Sequence, residues 1–130
     1  MRTRGAAPEK LLCYQRMYTI NRSAAVIRPK QPFIDWANGL PDAESEVSLE
    51  DFRSDCTVVL MPEFDTPEEG REHLDAIAED LLEAELMDWC TCESWLPPNR
   101  TKEMFWEWFE VEIHSMIIDH TKGSIRKERL

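Results

Sequence analysis

The segment from Thr66 to Met87 constrains the fold most, because it carries the full pattern of a long amphipathic helix. Thr66 and Glu69 stand three residues apart, as in a capping box, with Pro67 at the first helical position. We expect the Thr66 hydroxyl to accept from the N–H of Glu69, and the Glu69 carboxylate to reach back to the helix start. A helix of this kind must bury its apolar stripe against another layer. The stripe is Leu74, Ile77, Ala78, Leu81 and Leu82.

The same segment holds most of the net charge of −11. From Glu63 to Asp88 there are eleven acids and one base, a balance of −10, whereas residues 1–30 have a balance of +6. A solvated helix face explains the acids, and the alternative is a docking surface for a basic partner or for the basic N-terminal arm. Around the helix axis, Glu85 lies within about 20° of Leu74, so it falls on the apolar stripe. Because a charged residue there cannot face the core, we expect the helix to project beyond the core at this point.

Three segments are typical of β-strands. Ser23–Arg28 is a short strand that Pro29 ends. Thr57–Met61 is the clearest strand, and its apolar residues on both faces predict a central position in a sheet. The third runs through residues 111–118 and is half-buried, because its two sides alternate. One side has Val111, Ile113, Ser115 and Ile117, and the other has Glu112, His114, Met116 and Ile118.

Shorter helices are expected between these strands. Pro32 opens one that reaches Leu40, Ser48 caps one or two turns, and Thr101 opens one that reaches Phe109. The order of the elements predicts an α+β fold, with a small three-stranded sheet and helices packed on at least one face. A small α/β layer is the alternative.

Length and composition predict one soluble domain over residues 21–120. Residues 1–20 are expected to be a poorly ordered or helical extension, with Met17 as an alternative start, and residues 121–130 a polar tail. The net negative charge argues against nucleic acid, and Val58–Met61 is too short an apolar run to span a membrane. Four scattered cysteines and the lack of a signal-peptide pattern predict a cytoplasmic protein with reduced thiols.

Cys90 and Cys92 are the first candidates for chemistry, because two thiols one residue apart can share a metal or form a redox pair. Structural zinc sites use wider spacings and need four ligands, and the chain has no second cysteine pair of this kind. We therefore predict no metal and no cofactor, and interpret the two cysteines as small residues in a turn.

His114 and Glu112 share one side of the last strand, so the carboxylate can hold the imidazole as in a general base. No nucleophile motif accompanies them, and Ser115 is on the opposite side of the strand. A single histidine on a strand is usually a packed or surface residue, so an enzyme is the less favoured interpretation.

Five tryptophans in 130 residues are many. Trp36 and Trp108 lie on apolar stripes and are predicted to belong to the core. Exposed tryptophans near prolines often anchor partner proteins or line ligand grooves, although a cap over a small core explains them too. The candidate partner or ligand surface is Trp89, Trp95, Trp106 and Met116.

Three segments carry a resemblance that extends from Ala25 to about Asp119. They are RPKQPFIDW from Arg28 to Trp36, VVLMPEF from Val58 to Phe64 and WFEVEIHSM from Trp108 to Met116. In these segments the chain resembles a small family of uncharacterised bacterial proteins. The resemblance implies a bacterial cytoplasmic protein and transfers no activity.

Three functions follow as hypotheses. The first is a non-enzymatic interaction module that forms a homodimer through a sheet edge or face, since three strands leave surfaces uncovered. The second is a small-molecule-binding protein or enzyme that uses His114 and Glu112 near the Trp89–Trp95 turn. The third is an acidic mimic of nucleic acid, built from the carboxylates of residues 68–88.

Overall fold

The computed structural model describes residues 17–130, so residues 1–16 of the extension expected over residues 1–20 lie outside the described residues. Helices and a small antiparallel sheet alternate along the chain, which confirms the α+β prediction. In chain order the elements are β1 (Tyr18–Thr19), β2 (Ser23–Pro29), α1 (Gln31–Asn38), α2 (Leu49–Arg53), β3 (Thr57–Met61), α3 (Pro67–Trp89), a 3₁₀ turn (Glu93–Trp95), α4 (Lys102–Trp108), β4 (Phe109–His114) and β5 (Ile118–Asp119).

The three-stranded sheet has the order β3-β2-β4, and both pairings are antiparallel. Ala25 of β2 lies opposite Val59 on one side and Ile113 on the other. The prediction that Thr57–Met61 is a central strand is therefore wrong. The central strand is β2, which is buried along most of its length, and β3 is an edge strand.

One face of the sheet carries the core. Alternate residues of the three strands point to this face, and the helices pack against it. The ring of Phe33 on α1 lies 5.4 Å from that of Phe52 on α2 and 5.3 Å from that of Phe109 on β4, so aromatic contacts join these elements. The sheet residues buried in or packed against the core are Ala25, Ile27, Val59, Met61, Phe109, Val111 and Ile113.

Helix α3 is the longest element and begins as the sequence predicts. The Thr66 hydroxyl accepts from the N–H of Glu69 at 3.3 Å. The Glu69 carboxylate accepts from the N–H of Asp65 at 3.2 Å, one residue earlier than in a capping box. Every fourth residue of the helix is buried, whereas Ile77 and Leu81 are half-buried at the margins of the row. The buried row is Gly70, Leu74, Ala78, Leu82 and Leu86.

Gly70 lies against side chains of β4 and of the segment before α3. A Cβ atom at this position would stand 3.2 Å from Cδ1 of Ile113 and 3.3 Å from Cδ2 of Phe64. The missing side chain therefore allows the first turns of α3 to lie directly on β4. No helix within residues 17–130 is long and apolar enough to cross a membrane.

The other helix starts also follow the sequence. Ser48 and Asp51 form a complete capping box at α2, and the Thr101 hydroxyl accepts from the N–H of Met104 at α4. Helix α4 ends one residue earlier than predicted, because Phe109 already pairs with Pro29 as the first residue of β4. The chain thus passes from helix to strand without a loop.

The last strand is shorter than predicted. Strand β4 ends at His114, Ser115 lies in a bend, and Met116 lies in the connection to β5. Strand β5 pairs with β1 in a separate two-stranded ribbon, with Tyr18 opposite Asp119. The alternation continues past His114 in the sequence, but the bend ends the pairing with β2. Strand β1 was not predicted, because two residues are too few for a periodic pattern.

We expect Leu82→Ala to lower the free energy of unfolding by about 2–5 kcal/mol, since Leu82 is fully buried and its loss leaves a cavity. Leu81→Ala should cost less, because Leu81 is only half-buried. Urea denaturation of both variants measures the difference. Equal losses, or a loss below about 1 kcal/mol for Leu82→Ala, would contradict this placement of the helix.

Candidate functional site

The sheet has a second face, opposite the core, which we call the open face. Cross-strand pairing defines it, because Ala24 lies opposite Leu60 on β3 and His114 on β4. Two residues further, Val26 lies between Val58 and Glu112. The open face is thus formed by Val58, Leu60, Ala24, Val26, Arg28, Glu110, Glu112 and His114.

The β3 half of the open face is apolar. Val58 is 56% exposed and Leu60 is 47% exposed, although both are aliphatic side chains in a regular strand. Val26 continues the same row towards the centre of the sheet and is half-buried. These neighbours form a contiguous apolar patch at an edge of the sheet, and such patches mark interaction sites when they are large enough.

The β4 half of the open face is charged and ordered by ion pairs. Arg28 Nη1 donates to Glu112 Oε2 at 2.6 Å, and His114 Nε2 lies 2.6 Å from Glu112 Oε1. Glu112 therefore contacts both Arg28 and the imidazole of His114. Arg53 of α2 donates through Nη2 to Glu110 Oε2 at 3.1 Å. Both carboxylates of β4 thus have a cationic partner.

The pKa of the Glu112 carboxyl lies below its ordinary value. The main cause is the hydrogen bond with His114, followed by the hydrogen bond with Arg28 and its positive charge. Glu112 is therefore ionised throughout the neutral range. Both of its oxygens are engaged, and its side chain and that of His114 are each about half exposed. This arrangement fixes the positions of surface side chains. A general base must also reach a proton of its substrate, and both oxygens of Glu112 are already engaged by Arg28 and His114.

The structure does not bring His114 and Glu112 to the tryptophan turn. The Trp89 ring lies 4.7 Å from that of Phe52, and the carbonyl of Trp95 accepts from Trp36 Nε1 at 3.1 Å. The cavities beside these two tryptophans are lined by helices, their connections and residues of the sheet such as Ile27 and Phe109, but neither Glu112 nor His114 lines them. The groups that the second hypothesis requires in one pocket are on different surfaces.

Trp106 and Met116 lie elsewhere again. The indole N–H of Trp106 donates to Asp75 Oδ1 at 2.9 Å, and the guanidinium of Arg71 lies 4.5 Å from the ring centre. Trp106 therefore joins α4 to α3 through a hydrogen bond to Asp75, one of the acids of α3. Met116 is half-buried in the connection after β4 and does not extend the strand face of His114.

The expectation that α3 projects beyond the core at Glu85 is wrong. The helix continues to Trp89 with Leu86 fully buried, so Glu85 faces a cavity of about 220 Å³ between α2, α3 and the start of β3. Burial raises the pKa of the Glu85 carboxyl, a hydrogen bond with Thr57 opposes this rise, and the charge of Asp88 adds to it. Other walls of the cavity are Ile27, Phe33, Phe52, Cys56 and Trp89.

The three cysteines that the structure describes are free thiols at three different depths. Cys90 is buried, Cys56 is half-buried, and the exposed Cys92 has its Sγ 3.2 Å from Ser94 Oγ. In the part of the chain that the structure describes, no three histidine, cysteine, aspartate or glutamate side chains converge so that they could hold a metal ion.

Neither a protein-family model, nor a curated protein, nor a solved structure matches this chain. The resemblance to uncharacterised bacterial proteins therefore stays a prediction.

The sequence identified Glu112 and His114 and missed the two arginines that pair with the acids of β4. Arg28 was not predicted to bond to Glu112, because the pairing of β2 with β4 spans some eighty residues and leaves no local pattern. Arg53 of α2 was missed for the same reason, since it lies 57 residues from Glu110. Val58 and Leu60 were missed although their apolar character is evident in the sequence. Apolar residues on both faces predict a central strand, so they were not expected to be exposed.

The ion pairs of the open face predict how Glu112 titrates. Replacing His114 with alanine should raise the pKa of Glu112 towards its ordinary value, and Arg28→Ala should act in the same direction. Because the folded pKa is lowered, the stabilising contribution is present above the unfolded pKa and lost as pH falls through the folded one. Carboxyl chemical shifts across an acid titration measure these values. An unchanged midpoint in both variants would refute the network.

The half-buried Glu85 predicts a pH effect of opposite sign. Its folded pKa is raised, so its ionisation destabilises the fold as pH rises through the unfolded value. We expect Glu85→Gln to raise the thermal midpoint at neutral pH, with the gain shrinking towards pH 4. Glu83→Gln on the exposed side of α3 is the matched control and should change the midpoint little. An equal gain in both variants would indicate general charge relief only.

Proposed function

We propose that this protein is a non-enzymatic interaction module that forms a homodimer through its three-stranded sheet. The observation that carries the proposal is the exposure of Val58 and Leu60 on the open face, next to the half-buried Val26. Exposed aliphatic residues that stand alone are ordinary, whereas three adjacent ones in regular strands form a patch that association would remove from water.

We infer that the apolar patch binds a second copy of this chain, because the patch is complementary to itself. A dimer with twofold symmetry brings the same patch of each copy to the interface, so an apolar patch meets an apolar patch. The acids of β4 already pair with Arg28 and Arg53 within the chain. The charged half of the open face can therefore stay at the rim, where polar residues of interfaces normally lie.

The same proposal places the protein in the cytoplasm of a bacterium. The three described cysteines are free thiols, which suits a reducing compartment, and the resemblance in the sequence points to bacteria. A basic protein is the further partner that this proposal allows for, because the exposed acids of α3 form a negative surface.

The proposal predicts a dimer whose population rises with concentration. Leu60→Glu should shift the protein to monomer, because it places a charge in the apolar patch. Ile125→Glu is the matched control, since Ile125 is 59% exposed in the C-terminal tail, away from the sheet. Sedimentation equilibrium of the three proteins measures the change. A wild-type monomer at every concentration would refute the proposal.

A further inference from the structure

Strand β3 has the sequence of an internal strand and the position of an edge strand. Thr57–Met61 contains no charged residue and no proline, and five consecutive pairs with β2 leave no bulge. Natural edge strands are usually protected by one of these devices. The opposite edge, β4, is protected, because Glu110, Glu112 and His114 alternate along it. As residues 17–130 form this sheet, β3 is the one of its two edges that lacks such protection.

We propose that the β3 strands of two copies pair antiparallel about a twofold axis at Val59 and join their sheets into one of six strands. This inference rests on the homodimer proposed above and gives its geometry. Centring the pair on Val59 lets all five residues of the strand pair with the partner, Thr57 opposite Met61 of the partner subunit. Strand β3 then becomes internal, as its sequence requires.

The pairing also brings the apolar patches of the two copies together. Val58 comes to lie opposite Leu60 of the partner subunit on the open face, and the symmetry repeats this contact. Directly opposed side chains in antiparallel strands have Cβ atoms about 4.5–5.5 Å apart, so the four aliphatic side chains form one cluster. The core-facing side of the pair receives Val59 from each copy, which is already packed against the core.

Charge decides between a second copy and a basic partner. Pairing of β3 opposes no ionisable side chains within the strand, whereas pairing of two β4 strands would bring Glu110 and Glu112 towards like charges. At each end of the β3 pair, Asp55 approaches Glu63 of the partner subunit, and each copy carries a net charge of −11. Salt screens this repulsion and should tighten the dimer, whereas salt would weaken the binding of a basic partner.

The size of the contact sets the expected affinity. Stable interfaces of standard size bury about 1,600 Å² in total. An edge of five residues and two exposed aliphatic side chains covers less than that. We therefore expect a dimer that dissociates on dilution rather than one that persists at all concentrations.

Disulfide trapping tests the register. A mixture of Val58→Cys and Leu60→Cys proteins should form a mixed disulfide under mild oxidation, because these positions face each other across the twofold axis. Val58→Cys alone is the matched control and should link poorly, since two diagonal positions lie too far apart for a disulfide. Peptide mapping by mass spectrometry distinguishes the new bond from any that involves Cys56, Cys90 or Cys92.

A second measurement does not depend on new cysteines. Glu63→Lys should tighten the dimer roughly fivefold, because the new ammonium faces Asp55 of the partner subunit at both ends of the strand pair. Glu83→Lys makes the same change of charge on α3 and should tighten the dimer much less. Sedimentation at two salt concentrations measures both variants and the sign of the salt effect.

The outcomes separate the two proposals. A protein that stays monomeric would refute the homodimer and with it the strand pairing. A dimer without the mixed disulfide, and with equal effects of Glu63→Lys and Glu83→Lys, would keep the homodimer and refute pairing through β3. A dimer that high salt dissociates would also refute it. The mixed disulfide in a dimer that salt tightens would support the six-stranded sheet.

Discussion

The fold depends on β2, which must find a strand on each side. Most of its residues are buried, with Ala24 4% exposed on the open face and Ala25 fully covered on the core face. The two partners come from distant parts of the chain, since Ala24 pairs with Leu60 and with His114. Closing loops of this length costs conformational entropy before any contact is gained, so the core contacts must offset it. The helices between the strands supply those contacts.

Because the helices pack on the core face, the open face must be stabilised by its own side chains. Arg28 lies directly opposite Glu110 in the pairing but bonds to Glu112, its diagonal neighbour, while Arg53 of α2 takes Glu110. Exposed ion pairs add little to stability one by one. Their effect here is positional, because a shift of β4 by one residue would turn its acids towards the core and separate them from both arginines.

The sequence was informative wherever a short pattern determines the structure. Helix α3 was predicted with its cap and most of its buried row, and the three strands were recognised, because caps, prolines and periodicity are local. The strand order was not accessible, since an apolar β3 indicates that both faces need cover but not which element provides it. The end of β4 and the cavity at Glu85 were missed because a bend at Ser115 and the packing of α2 arise from distant contacts.

Among the three strands of the sheet, pattern and position disagree most clearly in β3. In β4, pattern and position agree, because polar residues alternate with core residues on an edge strand. In β3 the apolar residues Val58 and Leu60 continue on the face that water covers. Hydrophobic burial favours any arrangement that removes them from water, and the exposed backbone of an edge favours another strand. A second β3 satisfies both requirements at once, because it brings the same two side chains and the same unpaired edge to the contact.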